Sequence, residues 1–352
     1  MKIDDKTSHN SPSLRFPEFT GEWEKCKIED ITDAVPSGKS KNHFSNGEYN
    51  LYGSTGIIGR TDKALYDGKL VLVARVGANA GFLQIINEPC GITDNTLILK
   101  PKGIDAFYLY YFLQHLNLNR LIFGSGQPLI TGGMLKKVKV SLGTISEQSK
   151  IVKFLSLLDE RIAVQNRLID RLQSLMIGIA QKIAHSNKPN VRISDCLECS
   201  SSALQESEVN KTGKYPVYGA NGIVGYIDKY HTQNEAIYII KDGSGVGGVS
   251  YVTGKCSSTG TLNILQAKNG HSLKYLYYLL KVFNFVPYKT GMAIPHIYFK
   301  DYGKAKIFCP AYPEQLEYAK LLSSIDGNLR IALDSLKNFN LQKQYLLRHM
   351  LI

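Results

Sequence analysis

The sequence predicts an α+β fold in which two duplicated mixed α/β domains are each followed by a long helix, and in which the two helices pair with each other. Two observations predict it. Nearly all of the 352 residues form two copies of one unit of about 165 residues, a period typical of duplicated domains rather than of solenoid repeats. Each copy also ends in a long stretch with apolar residues at heptad spacing.

The duplication is clearest in one short phrase. The chain reads LYGSTGIIGRTDK at 51–63 and VYGANGIVGYIDK at 217–229, so that Tyr52 and Tyr218 stand 166 positions apart. The same offset relates Cys90 to Cys256, and an offset of 167 relates the later phrases YLYYFL and YLYYLL. The same motifs therefore occur in the same order in both copies.

The first part of each copy reads as a globular domain. Short apolar runs, LVLVARV at 70–76 and AIYII at 236–240, stand between turn signals and predict strands. The stretches DAFYLYYFLQHL at 105–116 and SLKYLYYLLKVF at 272–283 predict helices inside the two domains.

The second part of each copy predicts a long helix. Steps of four and three from Ile151 meet nine apolar residues in ten positions, and the same register shifted by 167 again meets nine in ten. One such stripe usually packs on a core, but two in the same phase favour mutual pairing. The seam residues are Ile151, Leu155, Leu158, Ile162, Ile169 and Leu172 in the first helix, and Leu322, Ile325, Leu329, Leu336 and Phe339 in the second. The polar exceptions, Gln165 and Lys343, either fix the register or lie at an exposed edge.

These patterns divide the chain. The polar residues 1–13 predict a flexible tail, 14–145 and 186–312 the two domains with a hinge at the start of the second, and 146–185 and 313–352 the long helices. If the helices pair antiparallel, the domains are expected at opposite ends of a stiff bar.

Composition favours a polyanionic partner. The chain has a net charge of +12 and a pI near 9.2. This excess of positive charge suits a nucleic-acid partner, although solubility alone also explains it.

The scattered cysteines indicate a reduced, cytoplasmic protein. The start of the sequence lacks an apolar signal segment, and no apolar run approaches the ~20 residues that cross a membrane.

The sequence contains no complete catalytic or cofactor-binding motif. The GSGVGG at 243–248 resembles a dinucleotide loop, but the next residues predict a strand and no acidic residue follows at the required distance. Cys196 and Cys199 form a C-x-x-C without a second ligand pair, so no metal site is predicted. The sequence therefore predicts no catalytic residues and no cofactor bound by this chain.

Nucleic-acid binding explains more of the pattern. Glycine-containing loops recur in order in both copies and carry residues that could bond to base edges or phosphates, such as Arg75 for guanine and Asn79 for adenine. A plain turn also explains any single one of these loops. The predicted DNA-binding residues are Lys39, Lys41, Tyr52, Ser54, Thr55, Arg60, Arg75, Asn79 and Gln127 in the first copy, and Tyr218, Asn221, Lys229, Lys241, Ser244, Lys289 and His296 in the second.

The two copies agree at glycines and tyrosines but differ at these candidate positions. Ser54-Thr55 stands against Ala220-Asn221, and Arg75 against Lys241. If both copies bind DNA, a shared scaffold with different contact residues would recognise two different half-sequences.

Several phrases together resemble a known family. LRFPEFTGEWEKCKIEDI at 14–31, the two YG-containing phrases, and ISEQSKIVKFLSLLDERI at 145–162 resemble the specificity subunit of bacterial type I restriction–modification systems. The resemblance covers nearly the whole chain. The second copy has Tyr318 at the position equivalent to Ile151, and this difference leaves the predicted helix undisturbed.

The resemblance implies a fold and a role. The two domains would be target-recognition domains, each reading one half of a bipartite, asymmetric double-stranded DNA site. The long helices would form an intramolecular antiparallel coiled coil that docks two modification (methyltransferase) subunits. Those partners would hold S-adenosylmethionine, and restriction subunits would add ATP- and Mg-dependent translocation and cleavage, so the chain itself would not be an enzyme.

Two alternatives remain open at this point. The chain could be a self-contained DNA-modifying enzyme whose catalytic site lacks a familiar motif. It could also be a duplicated protein-binding adaptor with no role on DNA.

Overall fold

A computed structural model describes residues 10–41, 46–121 and 128–352. The chain divides into two compact units. Unit 1 comprises Met1–Gln165 and Ser335–Ile352, and unit 2 comprises Asn166–Asp334. Each unit thus combines one mixed α/β domain with part of both long helices.

The first domain alternates short strands and short helices before the first long helix. Its elements are β1 Glu24–Lys27, α1 Ile28–Ile31, β2 Tyr49–Gly53, β3 Gly56–Thr61, β4 Lys69–Ala74, β5 Leu83–Asn87, β6 Cys90–Ile92, β7 Thr96–Leu99, α2 Ala106–Leu116, the 3₁₀ turn Leu118–Leu121, α3 Gly132–Lys136 and β8 Lys139–Leu142, followed by the long helix α4 Ile145–His185.

The second domain follows the same plan. Its elements are β9 Val191–Arg192, α5 Ile193–Cys196, β10 Leu197–Ser201, the 3₁₀ turn Glu206–Glu208, β11 Tyr215–Gly219, β12 Gly222–Ile227, β13 Glu235–Ile240, β14 Val249–Thr253, β15 Ser257–Ser258, β16 Leu262–Ala267, α6 Leu273–Val282, the 3₁₀ turn Val286–Tyr288, α7 Phe299–Tyr302 and β17 Lys306–Ile307, followed by the long helix α8 Tyr312–Met350.

Two small sheets and a helix form the core of the first domain. One sheet has the order β3-β2-β6 and the other β5-β4-β7. Strand β4 is buried on both faces: Val71 and Val73 pack in the core that contains α2, whereas Leu70 and Leu72 pack in a second core with Tyr52 and the residues of β6. Burial on both faces explains why LVLV is continuously apolar instead of alternating with polar residues.

The second domain repeats this arrangement. Its sheets have the orders β12-β11-β15 and β10-β16-β13-β14. In β13, Ala236 and Tyr238 pack in the core that includes Tyr218, and Ile237 and Ile239 are also fully buried. The predictions of strands at 70–76 and 236–240 and of helices at 105–116 and 272–283 are confirmed, with boundaries shifted by at most two residues.

In unit 1, the beginning of α4 packs with the end of α8. Ile151, Leu155 and Leu158 share one hydrophobic core with Leu346 and Met350 and with the first domain. Every one of these side chains is at most 7% exposed. The amino-terminal part of one helix therefore lies beside the carboxyl-terminal part of the other.

In unit 2, the last third of α4 lies near the first half of α8. Met176 and Ala180 line the same cavity of about 210 Å³ as Leu329 of α8 and Tyr278 of α6. Within each unit, a segment of α4 from one half of the helix thus lies beside a segment of α8 from the opposite half, as the predicted antiparallel coiled coil requires. All the predicted seam residues are buried or half-buried.

Within the described residues, no helix combines the length and the apolar content that a membrane span requires.

Candidate nucleic-acid interface

The duplicated phrase forms a β-hairpin in each domain. Strands β2 and β3 are joined at Ser54-Thr55, and β11 and β12 at Ala220-Asn221, each with a bulge in the ladder before the turn. Gly56 and Gly222 follow the turns with φ of +138° and +101°, where a side chain would be strained. The glycines shared by the copies thus meet a requirement of the hairpin, and the residues between them are free to differ.

In the first domain, hydrogen bonds gather three separate loops around the segment 93–95. The Thr93 amide donates to the Tyr52 carbonyl at the end of the hairpin (3.0 Å), and the Arg75 amide donates to the Asn95 carbonyl (3.0 Å). The Ile130 amide donates in turn to the Arg75 carbonyl (2.8 Å). We call residues 54–55, 75–79, 93–95 and 128–130 the first loop cluster.

The second domain repeats each of these bonds. The Thr259 amide donates to the Tyr218 carbonyl (2.8 Å), the Lys241 amide to the Thr261 carbonyl (2.9 Å), and the Ile297 amide to the Lys241 carbonyl (2.9 Å). Residues 220–221, 241–244, 259–261 and 289–297 therefore form a second loop cluster. The recurrence shows that the two copies share a loop framework as well as a core.

Arg75 lies at the centre of the first loop cluster. Its side chain is half-buried, and its Nη1 lies 3.4 Å from the Asp94 carbonyl oxygen. Its Nε is buried and has no hydrogen-bond partner among the described residues. Buried guanidinium donors are normally satisfied, so Arg75 is held by fewer internal hydrogen bonds than a structural arginine usually is. Ser54 lies nearby, with Oγ 3.4 Å from the Asn95 carbonyl oxygen.

Exposed lysines border the same hairpin. Lys41 shares a surface depression of about 550 Å³ with Ser54, Thr55 and Asn95. Lys39 and Lys41 share a second one, of about 540 Å³, with Lys63. Lys63 corresponds to the predicted Lys229 in the second copy and was missed in the first. Its position directly after the repeated hairpin was the available signal.

Two predicted residues of the first domain have internal partners instead. The Tyr52 hydroxyl donates to Glu88 Oε1 (2.6 Å), and burial and this carboxylate raise the pKa of the Tyr52 hydroxyl. The Glu88 carboxylate also accepts from Asn50, and these two hydrogen bonds lower its pKa. Arg60 donates to the carbonyls of Gly47 (2.5 Å) and Glu48. Both side chains thus stabilise the hairpin region.

The last two candidates of the first domain are Asn79 and Gln127. Asn79 is exposed, in the turn after β4, and lines a depression of about 410 Å³ with Tyr110, Gln114 and Asn119. Gln127 lies outside the described residues.

In the second domain, the structure brings Lys241, Ser244 and His296 to neighbouring loops. The Gly243 amide donates to the Pro295 carbonyl (2.9 Å), which holds the 289–297 loop against the turn after β13. Lys241 and His296 are half-buried and Ser244 is exposed. Asn221, Lys229 and Lys289 are exposed as well, whereas Tyr218 is half-buried, its ring 5.8 Å from that of Tyr238.

Sequence reasoning missed an exposed apolar tip in this domain. Met292 is fully exposed and Ile294 is 65% exposed, in the loop that carries Lys289 and His296. Apolar side chains are inserted between base steps by some DNA-binding proteins. A methionine next to glycine in a polar loop was the only signal.

A family model covers most of the chain. The model described as the type I restriction modification DNA specificity domain matches twice, at residues 20–174 and 186–338. Its two matches correspond to the two copies found in the sequence.

Several curated proteins are similar over part of their length. A type I restriction enzyme EcoprrI specificity subunit of Escherichia coli is 28% identical over 112 residues, 32% of this chain and 28% of that protein. The type I restriction enzyme MjaVIII specificity subunit of Methanocaldococcus jannaschii is 30% identical over 118 residues, 32% of this chain and 27% of that protein. The chain thus spans less than a third of the length of these relatives.

Solved structures match over nearly the whole fold. The crystal structure of a type I restriction-modification system S subunit from M. genitalium has a TM-score of 0.74 and 19% identity, over 97% of this chain and 99% of that one. A chain from a structure on complex assembly and conformational transition of the type I R-M system has a TM-score of 0.54 and 12% identity, over 94% and 97% of the two chains.

Proposed function

This chain belongs to the type I restriction modification DNA specificity family, and we propose that each of its two domains reads its own short segment of double-stranded DNA. The observation that carries the proposal is the loop cluster, which recurs with the same backbone hydrogen bonds and different side chains. Such a pair recognises two different half-sites, so the complete target is bipartite and asymmetric. The domain limits given for the sequence, 14–145 and 186–312, are part of this proposal.

Phosphate contacts come from the lysines at the hairpin edge. Lys39, Lys41 and Lys63 are exposed around one depression, and Lys229 holds the position of Lys63 in the second domain. Lysine at such an edge neutralises backbone phosphates and fixes the position of the protein on the duplex without reading its sequence.

Base contacts come from the centre of each loop cluster. In the first domain, the side chain of Arg75 is half-buried and its Nε has no partner among the described residues. The Arg75 amide donates to the Asn95 carbonyl, which the Ser54 hydroxyl also approaches. A guanidinium fits guanine O6 and N7 in the major groove. In the second domain Asn221 and Lys241 occupy the positions of Thr55 and Arg75. Ser244 lies in the turn after β13, and His296 lies on the adjoining loop. The proposal does not require Tyr52, Arg60, Asn79 or Tyr218 to touch DNA.

Catalysis is assigned to partner subunits. We infer that two modification subunits, which hold S-adenosylmethionine, dock on this chain, and that restriction subunits supply ATP- and Mg-dependent cleavage. Support comes from the family and from the fold shared with a chain of an assembled type I R-M system. Because the proposed substrate is DNA, we expect the assembly to lie in the cytoplasm.

A binding experiment with the purified full-length chain tests the proposal. The target is first read from the methylome of the host with and without the gene. Affinity for a duplex with that target should exceed affinity for a scrambled duplex, and its logarithm should fall by about 0.9 per log unit of salt for each neutralised phosphate. Absence of DNA binding at low salt would favour a protein adaptor. Methylation or cleavage by the chain alone, with S-adenosylmethionine and Mg²⁺, would make it an enzyme.

A further inference from the structure

Three potential metal ligands converge inside unit 2, on residues outside the second loop cluster. Cys196 Sγ, a His271 ring nitrogen and Cys309 Sγ all lie within 4.8 Å of one another, and Cys309 Sγ is 3.5 Å from His271 Nδ1. Tetrahedral zinc, with Zn–S of about 2.3 Å and Zn–N of about 2.1 Å, separates its ligand atoms by roughly 3.5–4 Å. Both cysteines are buried and His271 is half-buried.

The first domain provides an internal comparison for two of these positions. Cys196 is the last residue of the four-residue helix α5, and Ile31 is the last residue of the equivalent helix α1. His271 directly precedes Ser272, the N-cap of α6, and Ile104 directly precedes the N-cap of α2.

A repeated hydrogen bond identifies the third equivalent pair. The Gln315 side chain donates to the carbonyl of the residue after Cys309 (2.8 Å). The Gln148 side chain donates to the carbonyl of the residue after Leu142 (2.9 Å). Cys309 and Leu142 therefore occupy the same place in the two copies.

The first domain thus has Ile31, Ile104 and Leu142 where the second has two cysteines and a histidine. The three apolar residues belong to one hydrophobic core, so that corner of the fold is stable without polar side chains. Cysteine and histidine supply only 6 and 8 of the 352 residues. In the second domain all three of these positions carry cysteine or histidine, and their side chains lie close together. This coincidence indicates that the three side chains share one ligand.

We propose that Cys196, His271 and Cys309 bind one divalent zinc ion. Thiolate and imidazole are the ligands that zinc favours over the hard cations magnesium and calcium. Among the described residues the cluster contains three ligands, so the fourth position of a tetrahedral ion takes water. On binding, the two thiols lose their protons to solvent and the two thiolates balance the charge of the ion.

The bound ion would fasten three distant segments of the second domain. Cys196 ends α5, His271 precedes α6 and Cys309 lies three residues before the long helix α8. An ion held by all three would attach the end of α5 and the start of α6 to the segment that leads into α8. In the first domain, apolar packing performs the same task.

Metal analysis of the full-length chain, purified under reducing conditions from zinc-supplemented cells, tests the proposal. We expect one equivalent of zinc per chain, and cobalt substitution should give the charge-transfer absorption of thiolate-bound Co²⁺. Chelation should lower the melting temperature followed by circular dichroism. It should leave the transition of Trp23 fluorescence unchanged, because the only tryptophan of the chain lies in unit 1.

Three variants distinguish a bound ion from a cluster of hydrogen-bonded thiols. Cys309→Ser should lose the zinc, and Cys199→Ser, which alters the C-x-x-C outside the cluster, should keep it. The triple variant Cys196→Ile, His271→Ile, Cys309→Leu copies the first domain and should fold without metal. The proposal is wrong if the reduced wild-type chain takes up neither zinc nor cobalt, or if Cys309→Ser binds as much zinc as the wild type.

Discussion

Lys343 Nζ of α8 lies 2.6 Å from Asp159 Oδ1 of α4 inside unit 1. The Tyr111 hydroxyl of the first domain donates to the other carboxylate oxygen (2.8 Å), and the Lys343 ammonium lies 5.5 Å from the centre of the Tyr111 ring. The lysine that interrupts the heptad seam is therefore paired within the packed interface, and not at an exposed edge. A polar pair of this kind favours one helix register over its neighbours.

Lys343→Met should destabilise unit 1 by about 1–3 kcal/mol, because it leaves Asp159 without its cation in a partly buried site. Methionine is the residue at the corresponding seam position of the first helix, Met176, so its size suits the interface. Urea unfolding followed by the single tryptophan, Trp23, measures the change. Lys337→Met, an exposed lysine on the same part of α8, should change stability by less than about 0.5 kcal/mol.

A double-mutant cycle isolates the pair itself. Asp159→Asn removes the charge and keeps the shape, and its cost should be smaller when Lys343 is already methionine. A coupling energy of about 1 kcal/mol is expected for neighbours of this kind. Strictly additive costs would show that the lysine contributes through its hydrocarbon chain alone.

Glu147→Ala should destabilise unit 1 by about 3–5 kcal/mol, because it leaves a guanidinium without its counter-charge. The Glu147 carboxylate is fully buried and accepts two bonds from Arg15, at 2.7 and 2.8 Å, and one from the Trp23 indole at 3.1 Å. The midpoint of the Trp23 fluorescence transition measures this cost.

The second copy supplies the control for this prediction. Glu314 holds the equivalent position but is exposed, and it accepts a hydrogen bond from the Tyr318 hydroxyl (2.8 Å). Glu314→Ala should leave the Trp23 transition unchanged and should lower stability by less than about 1 kcal/mol. Equal losses in the two variants would contradict a special role for the buried ion pair.

Periodic features were predictable from the sequence because their cause is local. Heptad spacing fixes which face of a helix is buried, and the repeat of glycines fixes a hairpin with positive φ at Gly56 and Gly222. The antiparallel direction of the helices came from the family resemblance, since the seam pattern alone does not distinguish the two directions.

Features that depend on tertiary hydrogen bonds were not predictable. Nothing in the local sequence indicates that Glu88 accepts from Tyr52, or that segment 93–95 holds Arg75 beside the hairpin turn. The cluster of Cys196, His271 and Cys309 was missed for the same reason: its ligands are far apart in the sequence and fit no spaced motif. A comparison of the two copies at these positions was the one signal available.

Arg75→Ala should weaken binding to the target by about 1–3 kcal/mol and relax one base position, if its guanidinium bonds to guanine. Single-molecule methylome sequencing of cells that carry the variant shows which position relaxes. Arg60→Ala is the matched control, because that guanidinium bonds to the carbonyls of Gly47 and Glu48. The control should keep the methylation motif, and an unchanged motif in Arg75→Ala would remove Arg75 from the base contacts.

Exchange of residues 190–312 for the second domain of a relative should alter one half of the methylation motif and leave the other half unchanged. The expectation follows from the two loop clusters, because each is held together by hydrogen bonds within its own unit. The exchange keeps Gln315 and the rest of α8, including the seam residues Leu322, Ile325 and Leu329. Methylome sequencing gives the motif directly, and the reciprocal exchange of 14–145 should alter the opposite half. If either exchange changed both halves, the two domains would not read DNA independently.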